Sequence, residues 1–235
     1  MTGSGTKRVM ARAIGPSIKV NGTPLAGRLQ DPFLELHDSN GNIIGNNDWR
    51  SDQEAEIIQT GLAPTDNRES AIVKRLPPGN YTAIVRAADG TPGPGIGLVE
   101  LYDLDTTDPG ELGNLSVRAD VGLDDNVLID GLILRGGNPK RVLFRALGPS
   151  ITTPPGTLQN PMMSLYDAQG TLLRANDDWG QAPNASDIQT TGLAPKNNKE
   201  PAILLSLTAG NYTCVIEGVG RTTGIAVAEA YKLDN

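Results

Sequence analysis

The chain has 235 residues, a net charge of −7, 4% aromatic residues, 28 glycines and 17 prolines. An acidic chain with no basic stripe is poorly matched to a phosphate backbone, which excludes nucleic acid as a partner. Its charges are too evenly mixed for a disordered chain, and no apolar stretch approaches the ~20 residues of a membrane-spanning helix.

In chain order, Met1 to Thr6 is short and polar and has no secretory signal pattern, so the start is read as that of a mature form or of a piece of a longer protein. Apolar and polar residues then alternate in short runs bounded by Gly, Pro, Asn and Asp, which is the pattern of half-buried strands. The runs fall at 8–13, 33–38, 42–46, 71–75, 81–86 and 96–104. One short helix is expected at 52–60, with Ser51 as its N-cap. Residues 106–113, with the turn Asp108-Pro109-Gly110, read as a hinge. Two strands follow at 114–120 and 126–134, then further runs at 141–146, 162–167, 171–176, 202–207, 212–217 and 225–233. A second short helix is expected at 186–191 behind Ser186.

The two sets of runs repeat one another. Lys7-Arg8-Val9 through Gly15-Pro16-Ser17-Ile18 returns as Lys140-Arg141-Val142 through Gly148-Pro149-Ser150-Ile151. Gly61-Leu62-Ala63-Pro64 returns as Gly192-Leu193-Ala194-Pro195, and Gly79-Asn80-Tyr81-Thr82 as Gly210-Asn211-Tyr212-Thr213. Glu100-Leu101-Tyr102 returns as Glu229-Ala230-Tyr231. A repeat of this length is a domain. The expected architecture is therefore all-β: two tandem antiparallel, jelly-roll-like β-sandwiches related by internal duplication. Residues 1–105 form the first and 114–235 the second.

The copies are unequal, because the strands at 114–120 and 126–134 have no counterpart before Lys7. A sandwich lacking two strands leaves backbone N–H and C=O groups unpaired and an apolar face uncovered. Three remedies are open. The strand pair at 114–134 is shared by both sandwiches, a neighbouring chain adds a strand to the open edge, or the chain belongs to a longer array. The edge-pairing residues are taken as Leu115, Val117, Ala119, Val127, Ile129, Leu132 and Leu134, with Val9 in the strand 8–13 as the acceptor.

The runs Asn126-Val127-Leu128-Ile129-Asp130-Gly131 and Arg141 to Ser150 carry a resemblance, continued by Asn176-Asp177-Asp178-Trp179, Ala209-Gly210-Asn211-Tyr212-Thr213 and Thr223 to Tyr231. The chain resembles a tandem β-sandwich repeat of large secreted and surface proteins of environmental bacteria, of verrucomicrobial and acidobacterial type. It is also similar to pre-peptidase C-terminal domains, through Asp31-Pro32-Phe33-Leu34-Glu35-Leu36-His37-Asp38. The resemblance implies an extracellular or cell-surface setting and covers nearly the whole chain. It implies no activity, because such modules are appended to many proteins.

Among chemistry-bearing residues, the Asn/Asp clusters before Trp49 and Trp179 offer Asp48, Asp52, Asp178 and Asp187 as Ca²⁺ candidates. Asx residues also serve as turn and helix caps, which explains the same cluster without metal. Trp49 and Trp179 are candidates for stacking on a sugar, or for closing the core. His37, the one histidine, is replaced by Tyr166 in the other copy, and neither Ser17 nor Ser150 has a base beside it in the sequence. Cys214 sits in an apolar run and reads as a small buried thiol. The expectation is a non-enzymatic extracellular structural protein without a cofactor. It would self-assemble into a fibre, surface layer or adhesin through strand edges, partnering itself or neighbouring repeats. The alternatives are a polysaccharide-binding module and an inert domain appended to a larger secreted hydrolase.

Overall fold

The alternating runs fold as antiparallel strands in a computed structural model that describes residues 1–105 and 112–233. The chain divides between Leu112 and Gly113 into two units, each an all-β sandwich. Of the expected hinge at 106–113, residues 106–111 lie outside the described residues. Leu112 packs on the first unit's core, and the Gly113 carbonyl accepts a bond from the Lys232 amide in the second.

The first unit contains β1 (Lys7–Ile14), a two-stranded ribbon of β2 (Lys19–Val20) and β3 (Thr23–Pro24), β4 (Pro32–Asp38) and β5 (Ile43–Asn46). It continues with α1 (Glu54–Gln59), β6 (Ser70–Leu76), β7 (Tyr81–Ala87) and β8 (Leu98–Asp103). Its two sheets run β6-β1-β8 and β5-β4-β7. The second unit contains β9 (Asn114–Val121), β10 (Leu128–Leu134), β11 (Lys140–Leu147), β12 (Pro161–Tyr166) and β13 (Leu172–Asn176). Then come α2 (Ala185–Thr190), β14 (Ala202–Leu207), β15 (Gly210–Gly218) and β16 (Gly224–Leu233). Its sheets run β14-β11-β16-β9 and β10-β15-β12-β13. The orders match strand for strand, except that β9 and β10 each extend one sheet of the second unit.

The sheets face one another across apolar cores. Val9, Ala11 and Ala13 of β1 and Ile72 and Leu76 of β6 meet Leu34 and Leu36 of β4. Val142, Phe144 and Ala146 do the same for β11 against Met163, Leu165 and Ile216. The opposite faces of β1 and β11 are buried too: Met10 lies with Trp49 and Ile57, and Leu143 with Ile188. The short helix and its loop thus cover the outer face of that sheet, so β1 and β6 read as near-continuous apolar runs and do not strictly alternate. Neither serine expected as an N-cap holds that place. The caps are Gln53 and Asn184, without side-chain capping bonds. Their amides instead bond the backbone of Val73 and Leu204, pinning each helix to its sheet.

The recurrent Gly-Pro-Ser corner has a physical cause that the sequence reading missed. Glu69, fully buried, accepts bonds from the Gly15 and Ser17 amides (3.2 and 2.9 Å), the Ser17 hydroxyl (2.5 Å) and the Asp66 amide (3.3 Å). Glu200 repeats this with the Gly148 and Ser150 amides (2.9 and 2.8 Å), the Ser150 hydroxyl (2.5 Å) and the Asn197 amide (3.3 Å). A carboxylate therefore does stand beside each serine, with its oxygens committed to holding the corner. Glycine is required there because a Cβ on Gly148 would lie 2.0 Å from the Leu158 carbonyl oxygen, and one on Gly15 2.2 Å from that of Leu29.

A second recurrent knot joins β1 to β8 and the Gly-Leu-Ala-Pro loop. Arg12 pairs with Glu100 and donates to the Leu62 carbonyl (2.5 Å) and the Tyr102 hydroxyl (3.0 Å). Arg145 pairs with Glu229 (2.5 Å) and donates to the Leu193 carbonyl (2.5 Å) and the Tyr231 hydroxyl (3.0 Å).

Removing the Glu200 carboxylate leaves several buried donors without an acceptor, at about 1–3 kcal/mol each. Glu200→Ala is expected to destabilise the second unit by roughly 3–5 kcal/mol in urea unfolding. A loss below about 1 kcal/mol would contradict the corner's role.

Candidate assembly interface

The residues expected to pair at edges split between two sheets. β9 runs antiparallel to β16, from Asn114 opposite Tyr231 to Val121 opposite Gly224. β10 runs antiparallel to β15, from Leu128 opposite Ile216 to Leu134 opposite Gly210. They are not a hairpin, and each completes the second unit. Val117, Ala119, Leu132 and Leu134 are partly buried and pack on its core, while Val121 and Leu128 belong to that core. Leu115, half-buried, lies opposite Ala230. Val127 precedes β10 and is half-buried, and Ile129 points outward and is exposed. Sharing of this pair by both sandwiches is thus replaced by a simpler finding: its described ladders lie within the second unit.

The proposed acceptor is also corrected. β1 is the central strand of its sheet, bonded to β6 on one side and β8 on the other, and Val9 is buried in the core. The open edges belong to its neighbours. β8 stands where β16 takes β9, and β7 where β15 takes β10, yet among the described residues β8 pairs only with β1 and β7 only with β4.

Exposure follows the missing strands. Val99 (41% exposed) and Leu101 (37%) occupy the positions of Ala228 and Ala230, which are buried at 1% and 3%. Ala83 on β7 is exposed where Cys214 on β15 is buried. Leu98 and Ile84 add further exposed apolar surface to the same two strands. The size difference, Val and Leu against Ala and Ala, was readable in the closing repeat. The charged side chains of β8 are neutralised within the unit: Glu100 by Arg12, and Asp103 by Lys7 at 2.9 Å.

Asp130, on β10, has no counterpart in the first unit. It faces the core at 4% exposure, with Oδ2 lacking a hydrogen-bond partner. Burial in this apolar setting raises its carboxyl to about pH 6. Opposite it in the ladder is Cys214, whose thiol burial and the Asp130 charge push up, in keeping with an inert core cysteine.

The remaining candidates sit in turns and caps. Asp48 accepts a bond from the Asn47 amide (3.2 Å) and Asp178 from Gln181 (2.7 Å), while Asp52 and Asp187 are exposed. Among the described residues no three His, Cys, Asp or Glu side chains are grouped to hold a metal ion. The Asn/Asp clusters do frame work: Asn46 and Asn176 accept from the Ala71 and Ala202 amides and donate to the Asp48 and Asp178 carbonyls. At the hairpin turns, Asp38 accepts from the Asn40 and Asn42 amides, and Asp167 from those of Gln169 and Thr171. The bonds from Asn42 hold the Asp38 carboxyl below its ordinary value.

Trp49 is only 3% exposed, donates Nε1–H to the Asp66 carbonyl (3.2 Å) and has the Arg50 guanidinium over its ring at 4.4 Å. It has no open face for a sugar. Trp179 is half-buried against the equivalent cluster.

No protein-family model and no curated protein matches the chain. Among solved structures, the infectious bursal disease virus VP2 subviral particle is 9% identical over 98% of this chain and 58% of its own, with a TM-score of 0.21. The chain thus spans less than two thirds of that structure's length, and a likeness of this size carries no argument.

Trp49→Ala is expected to destabilise the first unit by roughly 3 kcal/mol or more, as loss of a buried aromatic does; an unchanged unfolding midpoint would contradict its place in the core. Asp130 gives a pH signature. Its folded carboxyl titrates above the unfolded value, so its stabilising contribution is full below pH ~4 and is lost as pH rises through about 6. The full difference is worth roughly 3 kcal/mol. Native protein and Asp130→Asn should therefore differ in stability by an amount that changes between pH 4 and 7 and is flat above; a constant difference would contradict the assignment.

Proposed function

We propose that this chain is a non-enzymatic structural protein of the cell exterior that assembles with itself through β-strand edges, as a subunit of a fibre, surface layer or adhesin. One observation carries the reading: among the described residues no strand lies beside β8 or β7 in the first sandwich, while the second has β9 and β10 at the equivalent places. An edge strand with free backbone groups and apolar side chains is a template for another chain. Natural edges are commonly guarded by Lys, Pro or bulges, and β8 has neither of those residues.

The fate of the recurrent polar residues supports the same reading. Glu69 and Glu200, Arg12 and Arg145, and Asn46 and Asn176 all serve the frame, which fits a protein whose work is to hold a shape. The exterior setting rests on the resemblance to repeats of secreted and surface proteins. The polysaccharide-binding alternative loses one of its two tryptophans to the core.

The purified full chain is expected to form ordered assemblies that grow with concentration, seen by static light scattering and negative-stain electron microscopy. Dispersed single chains at every concentration would overturn the proposal.

A further inference from the structure

We infer that β10 is a detachable strand of the second unit: it is seated while the Asp130 carboxyl holds its proton and leaves its place when that proton is lost, the rest of the sandwich staying folded. The inference stands apart from the assembly reading, because it concerns the second unit alone.

Three features carry it. The first is the setting of the carboxyl. Asp130 lies on the inner face of β10 at 4% exposure, and its Oδ2 has no hydrogen-bond partner. A buried carboxylate is tolerated where a cation or a set of donors meets it. Asp130 has no cation against it among the described residues. β10 packs on β15, β16 and β9. The titratable side chains turned inward on β15 are Cys214, opposite Asp130 in the ladder, and Tyr212, whose hydroxyl donates to the Thr208 carbonyl (2.9 Å). Neither brings positive charge. Glu217 lies on the outer side of β15, as do Arg118 and Asp120 on β9 and Glu229 and Tyr231 on β16. Lys232 of β16 and Lys140 of β11 sit at strand ends.

The second is how lightly the strand is held. β10 is the last strand of the sheet β10-β15-β12-β13, and its described ladder is with β15 alone. Only Leu128 and Asp130 of this strand are buried; Leu132 and Leu134 are half-buried, and Ile129 and Ile133 are exposed. Gly131, at its centre, has no side chain to pack. Small, edge-held pieces of this kind open locally without unfolding the whole. The strand and its flanks, 122–139, are tied at both ends, to β9 and to β11, so release makes a loop and no free end.

The third is the first unit. Among its described residues β7, the counterpart of β15, pairs with β4 alone, and the sheets still close on Val9, Leu34 and Ile72. The sandwich thus holds its shape with no described strand in this place. Release of β10 gives β15 the same open edge, so acidity sets whether the molecule shows one such edge or two.

The sign follows from the site. In the released strand the carboxyl is solvated and titrates near its ordinary 3.8, whereas in its seat burial raises it to about 6. The seat is at full strength below pH ~4, weakens as pH rises through about 6, and is weakest and constant above that.

The test is hydrogen exchange on the full chain at low concentration, from about pH 4 to 8, corrected for the intrinsic exchange rate. It compares the amides of 128–134 in β10 with those of 142–146 in β11 and 226–230 in β16. Protection of 128–134 is expected to fall roughly fiftyfold between pH 4 and 7.5 and to level off above, while the two central strands keep theirs. In Asp130→Asn the amides of 128–134 should lose that dependence on pH. If the variant does not fold, the comparison of strands within the native chain still decides.

Protection at 128–134 that is constant with pH would overturn the inference. So would an equal loss in all three strands, which is opening of the whole unit, and so would a dependence that persists in Asp130→Asn, which places its origin in another group.

Discussion

A β-sheet ends only where something satisfies its last strand, and this constraint organises the molecule. Each backbone amide and carbonyl at an edge needs a partner or water, and the side chains behind it need cover from the facing sheet. The second unit adds one strand to each layer, which moves the edge outward to β9 and β10 and lets the small residues Ala226, Ala228 and Ala230 lie fully inside. The first unit shares the topology but, among the described residues, stops one strand short in both layers. Its Val99 and Leu101 then carry into solvent the apolar area that its sibling hides.

The duplication separates frame from difference. Residues present in both copies explain the geometry: a buried glutamate ties the Gly-Pro-Ser corner, an arginine knot ties the loop to the sheet, and an asparagine joins the strand end to the tryptophan turn. Their sharing between copies fits roles in folding. The differences gather on one flank and on β9 and β10. Asp130 is the sharpest of them, a carboxyl kept in an apolar core by the rest of a well-packed sheet.

Much of the fold was legible in the residues, because alternation and turn chemistry are local. The run 202–207 coincides with β14, and Asp38-Ser39-Asn40-Gly41 forms the hairpin turn between β4 and β5, with Gly41 at positive φ (84°). Partnership was less legible. Two adjacent strand runs, 114–120 and 126–134, suggest a hairpin, yet each finds its partner far downstream, in β16 and β15, since pairing is decided by which layer has a vacancy. For the same reason the expected acceptor, β1, lies one strand inside the edge: it has neighbours on both sides, and both come from distant sequence. The helix caps differ from the expected serines because the residues there, Gln53 and Asn184, bond across to β6 and β14, not to their own helix.

The lone thiol, Cys214, lies shut inside the second unit's core beneath β10. A reagent that modifies sulfur therefore reaches it only when that layer comes apart. The native chain carries its own clock for the opening of one of its two units, and any thiol introduced on the other unit's surface would react on a separate, faster schedule.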